Sequence, residues 1–377
     1  MRLVFVTQQV DPGDPILGAT VAKLRALAER CDELVVLSLG SDLAHDLPAN
    51  VTVRTFGAPT RLRRGLRYER VLAPVLAGRP DGLIAHMCPI YLVLAAPLAK
   101  PFGVPLALWY THWTIDRTLR LATRLCDAAL SVERLSYPLA SPKVHALGHG
   151  IDVEQFAARG EAPTAEGPVR LLALGRTSPS KGFLTLLEGL ERALEQGVDA
   201  TLELRGPSTT AEEQAHRAEL ERRIERPALR GRVRLEPPVA RPHVPELLRR
   251  FDLVVNPTRG QTHGGALDKV VYESAACGVP VAACNPNFGE FLAGLPLDLR
   301  FRSGDGDDLA RVLGRFAASG SDARTATGRE LRGRVERGHS TETWADGVVR
   351  VIKGLSPGED RVPGRGADAD RRYDRAP

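Results

Sequence analysis

Short unbroken apolar runs alternate with stretches of helical spacing along most of the chain. LVFVT opens the pattern as a buried-strand run, Val21, Leu24, Leu27 and Ala28 recur at helical spacing, and LVVLS predicts the next strand. VTVRTF, LIAH, LALWY and AALSV continue the series, with helix candidates between most of them. Strands written as continuous apolar runs between helices imply a parallel sheet covered on both faces. The pattern breaks at SPKVHALGHGIDVEQF (residues 141–156) and the polar stretch AARGEAPTAEGP, which predicts a domain junction. It then restarts. VRLLALG is a strand, Phe183, Leu187, Leu190 and Leu194 line one helix face, and TLELRG, VRLEP, DLVVNPT and VPVAAC are further strands. ETWADGVVRVIKGL predicts a last amphipathic helix, and the charged, Pro/Gly-rich end has almost nothing to bury, so it reads as disordered. The expected organisation is two α/β domains over residues 1–160 and 161–340, a returning helix over 341–355 and a tail over 356–377.

Composition narrows the picture. The 377 residues exceed one ordinary core, and 43% of them are hydrophobic, enough for two buried sheets. Residues 83–110 are the most apolar stretch, but His86, Lys100 and four prolines interrupt it. A membrane span would need ~20 nearly uninterrupted apolar residues, so strand–helix–strand fits better. Aromatics at 5% and a net charge of +5 give no footprint for nucleic acid. Five scattered cysteines without a C-x-x-C pair suggest reduced thiols and the cytoplasm. The opening MRLVFVTQQVDPGD enters a strand directly, so no signal peptide is expected. The basic stretch of residues 61–70 (Arg61, Arg63, Arg64, Arg67, Arg70) is either a solvated helix face or a peripheral contact with the inner membrane face or a lipid acceptor.

In open α/β sheets ligands bind at the carboxyl ends of the strands, so the segments after each half's first strand carry the chemistry. After VRLLAL comes GRTSPSKGF, where Arg176 and Lys181 flank a turn that opens a helix. A bidentate guanidinium, a point-charge ammonium and a helix N-terminus suit a diphosphate, although a surface turn with incidental basic residues reads the same way. DLVVNPT leads through a glycine-bearing loop into LDKVVYESAACGVP. There Lys269 and Glu273 share a helix face, with Asp268 nearby, and a carboxylate could bind two vicinal ribose hydroxyls. The plainer alternative is a Lys269–Glu273 i,i+4 pair with Asp268 as a helix-start residue.

GRTSPSKGF, DLVVNPT with GGALDKVVYESAACGVPV, HGIDVEQF at the junction and LRFRSGDGDDLARVL resemble, in this order, the retaining glycosyltransferases of family 4. The resemblance reaches to about residue 355. It implies the α/β GT-B fold: two Rossmann-like domains facing a central cleft, with the C-terminal helix crossing back to the N-terminal domain. By that resemblance Arg176 and Lys181 would hold the donor diphosphate and Glu273 the ribose. Gly264, Gly265, Ala266 and Leu267 would hold the donor sugar and β-phosphate, with Lys269 in the same donor set. Gly18 would approach the phosphates from the other domain, and His112 in LWYTHW would contact the donor sugar.

Three positions depart from the family pattern. Gly265 stands where the family has its first glutamate, eight positions before Glu273; His149 replaces the usual junction asparagine; the first-loop glycine pair is reduced to Gly13 and Gly18. Asp268 is the nearest carboxylate to position 265, which makes His112 and Asp268 the candidate catalytic pair. His86, at a strand end facing the cleft, is an acceptor-contact candidate or a structural histidine.

The implied reaction moves a sugar from a nucleoside-diphosphate sugar to the hydroxyl of a small-molecule, glycan or lipid acceptor, with retention of configuration. It is expected to need no cofactor and no metal. Asp305 and Asp307 form a D-x-D, but in a polar turn before a helix they read as a cap. Rival readings are a GT-B-like epimerase acting on the nucleotide-sugar, a pseudo-glycosyltransferase forming a non-glycosidic bond, and a non-enzymatic nucleotide-sugar binder. A Rossmann oxidoreductase is disfavoured, because no strand is followed by G-x-G-x-x-G.

Overall fold

The computed structural model describes residues 1–14, 17–40, 47–160, 167–259 and 267–355. The apolar runs become two wholly parallel sheets. The first contains β1 (Arg2–Thr7), β2 (Glu33–Ser38), β3 (Val51–Thr55), β4 (Gly82–His86), β5 (Leu106–Trp109), β6 (Ala128–Ser131) and β7 (Val144–Ala146), in the order β3-β2-β1-β4-β5-β6-β7. The second contains β8 (Val169–Leu174), β9 (Ala200–Arg205), β10 (Val233–Glu236), β11 (Leu253–Asn256) and β12 (Val281–Ala283), in the order β10-β9-β8-β11-β12. In each half the first strand is central and the chain leaves it in opposite directions, so each sheet has a switch point: β1/β4 in the first, β8/β11 in the second. Leu3 to Val6 and Leu83 to Ala85 are fully buried, as expected of strands covered on both faces.

The helices are α1 (Thr20–Ala28), α2 (Arg61–Ala77), α3 (Pro89–Ala99), α4 (Arg117–Leu125), α5 (Phe183–Glu195), α6 (Ala211–Ile224), α7 (Val244–Arg249), α8 (Lys269–Ala276), α9 (Gly289–Leu292), α10 (Gly306–Ala318), α11 (Ser321–Gly338) and α12 (Thr341–Leu355). Asp305 caps α10, its carboxylate accepting from the Asp308 backbone N–H at 2.9 Å, as its place before a helix suggests. Residues 83–110 form β4, α3 and β5. One strand falls inside the predicted junction. β7 pairs with β6 and completes the first sheet, but Val-His-Ala has one buried residue and is too short to read as an apolar run.

The last helix, α12, belongs to the C-terminal half by sequence and to the N-terminal half by packing. Trp344 meets Trp109 edge-on at 5.6 Å, Ile352 fills the space left by Gly82, and Arg30 of the first half pairs with Asp346 at 2.6 Å. One buried cluster therefore runs from Leu3 and Phe5 through Ile151 to Tyr272 and Trp344, joining both halves beneath the cleft.

Candidate active site

The β8/β11 switch point is assembled by a glycine. Gly182 has φ +69°, and a Cβ there would run into the Pro257 carbonyl oxygen. Glycine lets the short turn 179–181 press against the segment after β11, which delivers Lys181 to the start of α8. Its ammonium donates to Asp268 Oδ1 at 2.6 Å, while Asn256 Nδ2 and the Thr258 hydroxyl donate to Oδ2 at 2.8 and 2.5 Å. Burial alone would raise the Asp268 carboxyl, but the Lys181 charge and these hydrogen bonds outweigh it and hold it below the usual range. Asp268 occupies the N-cap position of α8 without capping it. Its carboxylate is committed to holding Lys181.

Arg176 follows β8 and pairs with Glu213 at 3.2 Å while remaining 58% exposed. Glu213 is itself fixed by the start of α6, accepting from the Thr209 N–H and hydroxyl at 2.7 and 2.8 Å. Those bonds, with Arg176, hold its carboxyl below the ordinary value. The exposed guanidinium thus keeps donors for a ligand. Across the cleft, His112 lies within the reach of that charge: partial burial and then Arg176 lower its pKa. The Thr114 backbone N–H donates to His112 Nδ1 at 3.2 Å, which leaves Nε2 to carry the proton.

Glu273 is buried and bonded to Arg241 at 2.8 Å, so the i,i+4 pair with Lys269 does not form among the described residues. Burial lowers Lys269 to about 8, with Glu273 opposing and Arg241 reinforcing the shift. Arg241 comes from the loop after β10 and reaches the other domain's first loop. A Cβ on Gly18 would lie 3.3 Å from Arg241 Cδ, and closer still to the Asp14 and Pro12 carbonyl oxygens. Sequence reasoning missed Arg241; its only local signal was a basic residue between two prolines. Leu267 is buried and its carbonyl faces His149 Nε2 at 3.4 Å, tying the junction to the start of α8. Gly264, Gly265 and Ala266 lie outside the described residues.

The β1/β4 switch point holds His86. Thr7 Oγ1 lies 3.3 Å from its Nδ1, and its ring stacks on Phe5 at 5.3 Å. Burial, then Lys23 and Lys269, holds it well below its ordinary pKa. Beside it, Lys23 of α1 is buried against Trp109 and Trp344, a residue the sequence pattern did not single out.

Two parallel doubly wound sheets whose switch points face one another, with a helix returning from the second to the first, are the GT-B architecture. Residues 168–318 match the family described as Glycosyl transferases group 1. D-inositol 3-phosphate glycosyltransferase 1 of Catenulispora acidiphila is 28% identical over 295 residues, covering 72% of this chain and 69% of that protein. D-inositol 3-phosphate glycosyltransferase of Jonesia denitrificans is 31% identical over 166 residues, 40% of this chain and 37% of that one. Among solved structures, a Rickettsia africae glycosyltransferase superposes with TM-score 0.76 at 13% identity, covering 95% and 99% of the two chains. Anabaena Alr3699/HepE in complex with UDP and glucose superposes with TM-score 0.70 at 19% identity, covering 94% and 100%. The chain carries a glycosyl transferases group 1 domain on a GT-B fold, and it is a glycosyltransferase, an enzyme of the EC 2.4 class.

Proposed function

We propose that the protein is a retaining family 4 glycosyltransferase that moves a sugar from a nucleoside-diphosphate sugar to an acceptor hydroxyl without a metal. The observation that carries this reading is the Lys181–Asp268 pair beside the half-free Arg176 guanidinium, with His112 facing them. A leaving diphosphate gains negative charge in the transition state, and prepositioned cations stabilise it without reorganising. Glu273 keeps one carboxylate oxygen beyond its Arg241 bond for ribose hydroxyls. His112 Nε2–H suits a donor-sugar hydroxyl, and closure of the two sheets excludes the water that would hydrolyse the donor. HepE was solved with UDP and glucose, and the curated relatives are named for D-inositol 3-phosphate. UDP-sugars and a phosphorylated polyol are therefore the first donor and acceptor to assay. A thermal-shift screen over UDP-, GDP-, ADP- and dTDP-sugars, then NMR of the product's anomeric centre with excess EDTA, tests the reading. Inversion, turnover of donor alone to an epimer, or a rate restored by Mg²⁺ would overturn the corresponding part.

The acceptor side of the reading has its own support. On α2, Leu62 and Leu66 are 75% and 59% exposed, beside a groove of about 690 Å³ that also includes Ile90 and Leu94. Five arginines and one glutamate lie within residues 61–70. Exposed leucines within an arginine-rich turn fit an anionic lipid surface, where each basic residue contributes about 1 kcal/mol. The five cysteines are unpaired, in keeping with a reducing, cytoplasmic setting. Co-sedimentation with phosphatidylglycerol vesicles, lost on Leu62→Ser/Leu66→Ser and absent with phosphatidylcholine, checks this part.

A further inference from the structure

The chain passes between the halves at residues 148–151, after β7, and again at 338–341, between α11 and α12, and the two crossings lie side by side. The Ile151 N–H donates to the His339 carbonyl at 2.7 Å, and the Thr341 N–H donates to that of Ile151 at 2.9 Å. Gly148 allows the approach: its φ is +72°, and a Cβ there would run into the Gly338 carbonyl oxygen. Each crossing carries a histidine, and Tyr272 of α8 packs on both. Its ring centroid stands 5.4 Å from that of His149 and 4.4 Å from that of His339. All three side chains are buried, and each keeps an unmade hydrogen bond. His149 Nδ1, the Tyr272 hydroxyl and His339 Nδ1 have no partner among the described residues. Burial lowers the pKa of both imidazoles, His339 to about 4, so both are uncharged at neutral pH. His149 Nε2 faces the Leu267 carbonyl and carries the ring's proton there, which leaves Nδ1 a bare acceptor.

Buried polar atoms are ordinarily paired, and an unmade bond is costly. Here such atoms gather in one ring stack, where both crossings meet α8. The helix side of the stack is tied to the candidate site. Glu273, the residue after Tyr272, bonds Arg241, and Leu267, whose carbonyl faces His149, precedes the Asp268 that holds Lys181. We propose that Tyr272 is a positioning residue whose hydroxyl donates to His149 Nδ1 when the halves close on a nucleotide. This rests on the glycosyltransferase reading and deepens it, naming the contact through which donor binding at α8 acts on the crossings. The rings are already packed together, so a small shift of one half against the other brings hydroxyl and nitrogen to bonding distance. A bond made only in the closed state adds to the apparent nucleotide affinity and nothing to the ligand-free protein. Without ligand the hydroxyl costs stability instead, having left water without gaining a partner.

Calorimetry and thermal melting of the full chain test this. Wild type is titrated with UDP, GDP, ADP and dTDP, and the nucleotide it binds is carried to Tyr272→Phe, His149→Gln and the double variant. Tyr272→Phe removes only the hydroxyl. His149→Gln removes the Nδ1 acceptor, while the glutamine amide nitrogen reaches about as far as the imidazole Nε2 and still donates to Leu267. Each single variant should lose affinity about tenfold, and the double should lose the same amount rather than the product, because both changes delete one bond. The ligand-free melting point of Tyr272→Phe should rise by about 2 °C. Affinities within twofold of wild type in both single variants, or losses that multiply in the double, overturn the proposal. So does a Tyr272→Phe melting point that falls together with affinity, the mark of a hydroxyl that only supports the fold. A wild type that binds none of these nucleotides overturns the donor reading, and this inference with it.

Discussion

The two switch points solve opposite electrostatic problems. At β8/β11 each ligand-facing cation already has a carboxylate: Lys181 has Asp268 and Arg176 has Glu213. At β1/β4 the buried cation, Lys23, has two indole rings and no acid among the described residues. The first site is held in working geometry before any ligand arrives. The second buries an amine whose charged form burial disfavours.

Perturbing the paired site should have the largest effects. Arg176→Ala and Lys181→Ala each remove a charge-assisted contact proposed for the donor diphosphate, expected to cost roughly 2–4 kcal/mol, or ~30- to ~1000-fold in kcat/KM. Kinetics within threefold of wild type for both would remove the distinction between the sites. Asp268→Ala comes next. It leaves Lys181 partly buried and unpaired, at a cost of about 3 kcal/mol of folding stability. Nucleotide affinity should fall with it, because Lys181 is no longer aimed. An Asp268 acting only on the donor sugar would instead lower kcat/KM while nucleotide binding stayed intact, which separates the two roles in one titration. Gly182→Ala is smaller, about 2 kcal/mol from a left-handed backbone and the collision with Pro257. Its melting point and UDP affinity should drop together, since Gly182 delivers Lys181.

The comparison also shows what the sequence could reveal. The strands were legible because buried parallel strands are unbroken apolar runs, and β7 was not because Val-His-Ala is three residues with one buried. Arg176 and Lys181 were legible because the turn that holds them is local. Asp268 was legible as a candidate, but its partners Lys181 and Asn256 arrive from other strands' ends, so its commitment to Lys181 was not. Arg241 and Lys23 acquire meaning only through Glu273, Trp109 and Trp344, which tertiary folding brings from distant segments. In the local pattern Lys23 is one lysine among apolar helix positions, and nothing there says it is buried.

The smallest expected effect lies where the halves touch away from both switch points. Glu133 of the first half stands 3.6 Å from His339 of the second, its side chain 29% exposed. Burial and the nearby Glu290 push its carboxyl from 4.5 up to about 7, and burial lowers His339 to about 4. Both groups are therefore held neutral rather than paired. Below pH 4.5 Glu133 is protonated in folded and unfolded chains alike and costs nothing. Between pH 4.5 and 7 the unfolded chain ionises it first, so stability falls as pH rises, and above 7 the loss is complete. His339 acts in the other direction, its cost growing as pH falls from 6.5 towards 4. Glu133→Gln removes the first contribution and leaves the second, so it should stabilise the protein at pH 8 by about 1 kcal/mol, a figure reduced for solvent exposure, and change little at pH 4.5. Glu290→Gln should give a fraction of that gain at pH 8, because it removes only the lesser cause. Equal melting-point shifts for Glu133→Gln at both pH values would mean that Glu133 is an ordinary ionised surface carboxylate and that this contact between the halves carries no protonation-dependent strain.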